Sequence, residues 1–132
     1  MIRLGLRENL TTFQPGDTIA GAALWEFTQK KKSIEVRLVW FTRGKGTEDG
    51  VIVATQAFDA TQLADTGTFS FTAPEAPYSF DGTLIALVWA VELVAEPGDE
   101  FERIEILIAP GGKEIVLPKI TQPNPSKFRM TS

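Results

Sequence analysis

The acidic side chains are the first candidates for chemistry in this sequence. Glu26 and Glu92 are residues of the type that glycosidases pair as acid and base. Each falls on the outward phase of a predicted strand whose inward phase carries Trp25 or Trp89. We therefore expect two ordinary surface carboxylates and no catalytic residue.

A second acidic group offers oxygen ligands of the kind that calcium prefers. Its members lie in or beside predicted loops: Glu48, Asp49, Asp99, Glu100 and Glu102. They match no known ligand spacing, which favours loop solubility over metal binding. We expect neither a metal nor a cofactor.

The absence of two residue types excludes most other site chemistry. The 132 residues contain no cysteine and no histidine. Disulfides, thiolate nucleophiles, Ser-His triads and His-ligated metals are therefore excluded. The 13 basic and 17 acidic residues give a net charge of -4, which argues against a nucleic-acid partner. The composition favours a non-enzymatic domain.

The three tryptophans suggest a sugar-stacking platform, as in a carbohydrate-binding or adhesion-type β-sandwich module. Trp25, Trp40 and Trp89 each lie in phase with aliphatic residues two positions away on the same strand. A large aromatic side chain in that phase usually packs in the core. We favour the core interpretation and keep the carbohydrate module as the alternative function.

The basic residues suggest a reader of phosphopeptides or anionic lipid headgroups. Lys30, Lys31 and Lys32 precede a predicted strand at 33–42, and Arg43 and Lys45 follow it. A strand of that length spans roughly 33 Å, so the two groups should lie at opposite ends of it. A solvated hairpin tip is the favoured interpretation, and an anionic partner is the weaker one.

Alternation with period two predicts an all-β fold. Proline-glycine and aspartate-glycine turns separate about eight predicted strands: 2–7, 18–27, 33–42, 51–58, 68–72, 83–95, 100–109 and 114–117. The segment 59–64 is ambiguous and is compatible with one short helical turn. Strands at this spacing bury one face each by forming two layers, so we expect a mostly antiparallel β-sandwich.

The outward phase of three predicted strands carries small and apolar residues where a solvated face should be polar. They are Leu84, Ala86, Val88 and Ala90 on 83–95, then Ala20, Ala22 and Leu24 on 18–27, and Val39 and Phe41 on 33–42. Such a face indicates a covered surface. The cover is expected to be a protein partner, a second subunit or the proline-containing tail.

Two stretches resemble the N-terminal-type domain of the arrestin family. They contain Pro15-Gly16-Asp17-Thr18-Ile19-Ala20-Gly21, Phe69-Ser70-Phe71, Pro77-Tyr78-Ser79-Phe80-Asp81-Gly82 and Trp89-Ala90-Val91-Glu92-Leu93. The resemblance covers roughly residues 2 to 95, in the family's order. It implies an immunoglobulin-like sandwich that acts as a protein-binding adaptor or scaffold without catalysis. This chain holds one such sandwich where arrestins hold two, and it has no Pro-Pro-x-Tyr motif.

These observations predict one domain over 1–121 and a loosely ordered tail over 122–132. The longest apolar run, 84–91, is far shorter than the roughly 18 to 20 residues of a membrane span. No positively charged segment followed by an apolar stretch begins the chain, so we expect a cytoplasmic protein. Binding is expected through an outward sheet face or through an edge strand that accepts a partner strand.

Overall fold

The computed structural model describes residues 1–44, 50–82, 85–98, 100–112 and 115–116. In chain order the strands are β1 (Ile2–Leu6), β2 (Thr12–Phe13), β3 (Thr18–Glu26), β4 (Ser33–Gly44), β5 (Gly50–Phe58), β6 (Ala64–Thr72), β7 (Phe80–Asp81), β8 (Ile85–Glu96), β9 (Glu100–Ile108) and β10 (Ile115–Val116). Single turns of 3-10 helix occupy Arg7–Asn9 and Pro110–Gly112. Among the described residues no helix has the length and apolar character needed to cross a membrane.

The strands form two sheets. The small sheet has the order β1-β3-β6, and both of its pairings are antiparallel. In the large sheet β8 pairs with β4 on one side. On its other side β8 pairs with β7 near its start and with β9 along the rest of its length. β5 flanks β4, while the short strands β2 and β10 run parallel to β9 and β7. The predicted all-β sandwich of mostly antiparallel strands is confirmed, and each of the eight predicted strands is present in the described part of the chain.

The core lies between the sheets, as the alternation predicts. Inward residues of the small sheet meet the alternate residues of β4 and β8, which include Ile34, Val36, Leu38, Val91 and Leu93. Trp25 and Trp89 are 2% and 0% exposed. The indole Nε1 of Trp89 donates a 2.9 Å hydrogen bond to the carbonyl of Pro77, which fixes the connection before β8.

The start of β6 differs from the prediction. The sequence leaves 59–64 ambiguous and predicts a strand from 68, whereas β6 already begins at Ala64. Asp65 pairs with Trp25, and the register continues without a break to Thr72. Residues 64–67 show no apolar alternation, so the pairing with β3 makes them a strand where local sequence preference does not.

Side chains of the large sheet bond to the backbone of both outer strands of the small sheet. Gln56 Nε2 on β5 donates a 2.8 Å hydrogen bond to the carbonyl of Thr68 on β6. The backbone N–H of Leu4 on β1 donates to Glu102 Oε2 on β9 at 3.1 Å. Both outer strands of the small sheet thus have a polar backbone group satisfied by the other layer.

Candidate protein-binding surface

The outer face of the large sheet carries the predicted apolar cluster, but the chain covers much of it. Val39, Phe41, Val88 and Ala90 pack together on this face, apart from the main core. Phe41 and Ala90 are only 4% and 0% exposed. The expectation that Phe41 and Ala90 lie on an accessible partner surface is therefore wrong, although the predicted phase is right, while Val88 is only partly buried.

Arginine side chains form the cover over Phe41. The guanidinium carbon of Arg103 lies 4.6 Å from the Phe41 ring centroid, and that of Arg43 lies 5.3 Å away. Such cation–π contacts hold a charged group flat on an aromatic ring. This cover could not be predicted from the sequence, because Arg103 lies on β9, far from Phe41 along the chain.

Ion pairs occupy a further part of this face, beside the exposed ring of Phe101. Arg103 Nε lies 2.6 Å from a carboxylate oxygen of Glu92, and Arg43 Nη2 lies 2.6 Å from one of Glu105. Arg37 Nε lies 2.7 Å from a carboxylate oxygen of Glu35. Each pair joins one positive and one negative side chain, so the paired charges cancel.

The remaining residues that were predicted to point outward lie on β3 of the small sheet and on β8 of the large sheet. Leu24 and Ala22 are exposed on the small sheet, whereas Ala20 is buried. Ala86 is partly buried on β8, and Leu84 lies outside the described residues. The exposed alanine borders a shallow groove of about 810 Å³ that is lined by residues of β1, β3 and β6 and by Arg7 and Gln56. It presents no cluster of charged groups that would select a ligand.

One of the three lysines has a structural role. Lys31 Nζ donates a 2.6 Å hydrogen bond to the carbonyl of Pro97 and lies 4.7 Å from the Phe27 ring centroid. It therefore ties the β3–β4 connection to the turn between β8 and β9. Lys30 and Lys32 are exposed.

The two basic groups lie at opposite ends of β4, as predicted. Ser33, which follows the lysines, pairs with Glu96 at one end, and Arg43 pairs with Ala86 at the other. Lys45 lies outside the described residues. The separation leaves no single cationic patch.

The acidic candidates do not converge. Glu26 lies on the outer phase of the small sheet, and Glu92 lies on the opposite outer surface, paired with Arg103. Glu102 accepts from the Leu4 backbone. A 4.0 Å ion pair joins Glu100 to Lys31, while Glu48, Asp49 and Asp99 lie outside the described residues. Among the described residues no group of three or more acidic side chains is placed to hold a metal ion.

The tryptophans do not form a platform. Trp25 and Trp89 are buried, and Trp40 is partly buried against the core. The Trp25 ring packs 5.4 Å, centroid to centroid, from Phe58. These rings offer no open face for sugar stacking, which removes the observation behind the carbohydrate alternative.

The surface that sequence reasoning did not single out is the edge strand β5. Val51, Ile52 and Val53 are consecutive and are 44%, 55% and 42% exposed. Among the described residues no strand pairs with β5 on the side away from β4. We call this unpaired side, at residues 51–53, the β5 edge.

The β5 edge lacks two of the usual protections of an edge strand, charged side chains and prolines. Natural edges carry charged residues or prolines that discourage strand addition. All nine residues of β5 are uncharged and none is proline. Of the described strands longer than two residues, only β5 has no charged side chain. The signal in the sequence is this uncharged run between the acidic segment at 48–49 and Asp59.

The local geometry of the β5 edge includes a β-bulge. Val39 pairs with Ile52 and Leu38 pairs with Ala54, so Val53 has no partner on β4. A bulge increases the local twist of a strand. Because Ile52 pairs with Val39, its side chain lies on the outer face of the large sheet, next to the covered apolar cluster.

The carboxylate of Asp59 lies directly after the uncharged strand β5. The backbone N–H of Thr61 donates a 2.9 Å hydrogen bond to Asp59 Oδ1. This bond, with a further one from the Thr61 side chain, lowers the pKa of Asp59 below its ordinary value of 3.8. The carboxylate is therefore ionised at neutral pH.

Comparison with known proteins gives a fold relative and no family. No protein-family model matches the chain, and no curated protein matches it. A solved structure with the same fold is the sporulation control protein Spo0M from Bacillus subtilis, with a TM-score of 0.55 and 14% sequence identity. The match covers 82% of this chain and 48% of Spo0M, so the chain spans about half the length of that relative.

Proposed function

We propose that this chain is a non-catalytic protein-binding module of the arrestin-like type, acting as an adaptor or scaffold in the cytoplasm. The observation that supports the proposal is the β5 edge, which is uncharged, apolar and unpaired among the described residues. An extended segment of a partner would add to the large sheet beside β5.

Strand addition suits the chemistry of this edge. The unpaired backbone N–H and C=O groups of an edge strand bond to any extended segment, and side-chain pockets add specificity. Val51, Ile52 and Val53 supply apolar contact on both sides of the strand. The structural relative is a sporulation control protein, and a regulatory role through protein contacts would suit an adaptor here.

The bonds at the other strands direct a partner to β5. The small sheet's outer strands β1 and β6 have backbone groups bonded to Glu102 and Gln56. Much of the outer face of the large sheet is occupied by ion pairs and by the arginine cover over Phe41, and its exposed Phe101 lies on the charged strand β9. The β5 edge combines free backbone groups with exposed apolar side chains.

The test is affinity capture from native cytosol with the full chain as bait. Ile52→Lys places a charge on the β5 edge, while Leu24→Lys makes the same change at an exposed position of β3, which is paired on both sides. We expect proteins that are retained by the wild type and by Leu24→Lys and are lost with Ile52→Lys. Identical capture by all three baits would reject the β5 edge as the binding surface.

A further inference from the structure

We infer that the strand that pairs with the β5 edge is β5 of a second copy of this chain. The inference rests on the proposed function, since it uses the same edge, and it names the occupant. Two copies would meet about a two-fold axis, with their β5 strands antiparallel, and would join their large sheets into one continuous sheet.

The sequence of the edge is self-complementary. An axis at Ile52 sets Ile52 of one copy opposite Ile52 of the other, with Val51 and the extra residue of the bulge, Val53, on either side of the axis. All of these residues are apolar and exposed in the single chain. Pairs of β-branched residues that face each other across antiparallel strands stabilise the pairing.

The charge distribution also favours a second copy. A two-fold axis sets every charged residue of an edge near its own like-charged counterpart, so a charged edge repels itself. The nine residues of β5 contain no charge, although the chain carries a net charge of -4. The uncharged strand is therefore the place where two such molecules approach with least repulsion, and added salt should strengthen the contact.

The chain's own C-terminal segment is a poorer occupant. The large sheet has the order β10-β7-β8-β4-β5, so residues 115–116 lie at the edge opposite β5. The sequence that follows contains Pro118, Pro123 and Pro125. Each proline lacks the backbone N–H that a strand ladder needs.

The expected complex is weak. Specific stable interfaces bury about 800 Å² on each partner, and the exposed part of this edge consists of three consecutive side chains and their backbone. We therefore expect dimer and monomer to be in rapid equilibrium, because the interface is so short. Its formation should depend on protein concentration between about 10 µM and 1 mM.

The experiment is sedimentation of the full chain over that concentration range, with Ile52→Lys, Ile52→Glu and their equimolar mixture. We expect the wild type to pass from the mass of one copy to that of two. Each variant alone should associate at least about tenfold more weakly, because like charges face each other across the axis. The mixture should regain the dimer, since lysine then faces glutamate. Leu24→Lys should behave as the wild type.

Each other outcome overturns the inference. A wild type that stays monomeric at every concentration rejects self-pairing, and a dimer that appears only after removal of residues 117–132 assigns the edge to the tail. The two-fold axis at Ile52 is rejected if the variants dimerise as the wild type does, or if their mixture stays monomeric. If the wild type is monomeric while Ile52→Lys still abolishes capture from cytosol, the proposed function stands and only self-pairing fails.

Discussion

The amide of Gln56 on β5 donates a 2.8 Å hydrogen bond to the backbone carbonyl of Thr68 on β6, which joins the two sheets at one rim of the sandwich. Near it, Phe58 packs so closely over Gly67 that a Cβ there would lie 2.6 Å from the ring. The C-terminal half of β5 is thus held against the small sheet. The N-terminal half, with the β5 edge, is left open.

Removal of this bond should weaken the fold without affecting association. Gln56→Ala leaves the Thr68 carbonyl without its side-chain donor, and we expect the free energy of unfolding to fall by about 1 kcal/mol. Gln29→Ala, at an exposed position of the β3–β4 connection, is the control. Urea denaturation followed by circular dichroism measures both. An equal effect of the two variants would mean that the bond contributes nothing.

The two most deeply buried tryptophans should respond differently to replacement by phenylalanine. Trp89→Phe removes both ring volume and the 2.9 Å bond to Pro77. Trp25 Nε1 is buried, and it has no hydrogen-bond partner in the described part of the chain. Trp89→Phe should therefore destabilise the protein by about 1 kcal/mol more than Trp25→Phe. Denaturant midpoints measured by circular dichroism show which variant loses more stability. A larger loss for Trp25→Phe would contradict the prediction.

A pair of glycines tests the packing of the small sheet. A Cβ at Gly21 would collide with the backbone carbonyl oxygen of Gly5 and lie 2.8 Å from the Phe69 ring, whereas a Cβ at Gly5 meets no atom within 4 Å. We expect Gly21→Ala to destabilise by at least about 2 kcal/mol, because the backbone of β1 must move. Gly5→Ala should change stability by less than about 0.5 kcal/mol. Equal thermal midpoints for both variants would contradict this packing.

The pH dependence at the end of β5 follows from Asp59. The Thr61 hydrogen bonds lower its pKa in the folded state below 3.8, so the unfolded state binds the proton more readily. Its contribution to stability is present above the unfolded pKa and is lost as pH falls through the folded pKa. NMR titration of the Asp59 carboxyl should give a value below 3.8, and Thr61→Ala should raise it in part. A titration at or above 3.8 in the wild type would refute the assignment.

The sequence predicted the parts of the fold that are set by alternation. The inward phases of β3, β4 and β8 follow from long alternating runs, and they placed Trp25, Trp40 and Trp89 against the core. It failed at Phe41, which has the predicted outward phase but lies under Arg103 from a strand distant in sequence. Contacts of that kind depend on which strands become neighbours, and no local pattern encodes them.

The β5 edge illustrates the same limit. Val51, Ile52 and Val53 are consecutive apolar residues, and such a run does not say which side of a strand is buried. Their exposure arises because β5 is the last strand beside β4. The absence of charge in β5 can be read from the sequence. It indicates a binding edge only once the strand order places β5 at the end of the sheet.

Amide hydrogen exchange on the full chain tests the central claim most directly. If a strand adds to the β5 edge, amides within Gly50–Phe58 should gain protection as protein concentration rises, while those of β1 and β6 stay unchanged. Ile52→Lys should abolish this gain, and Leu24→Lys should preserve it. Protection that stays constant in β5 at every concentration and in the presence of captured proteins, or that grows at another strand instead, would contradict the account.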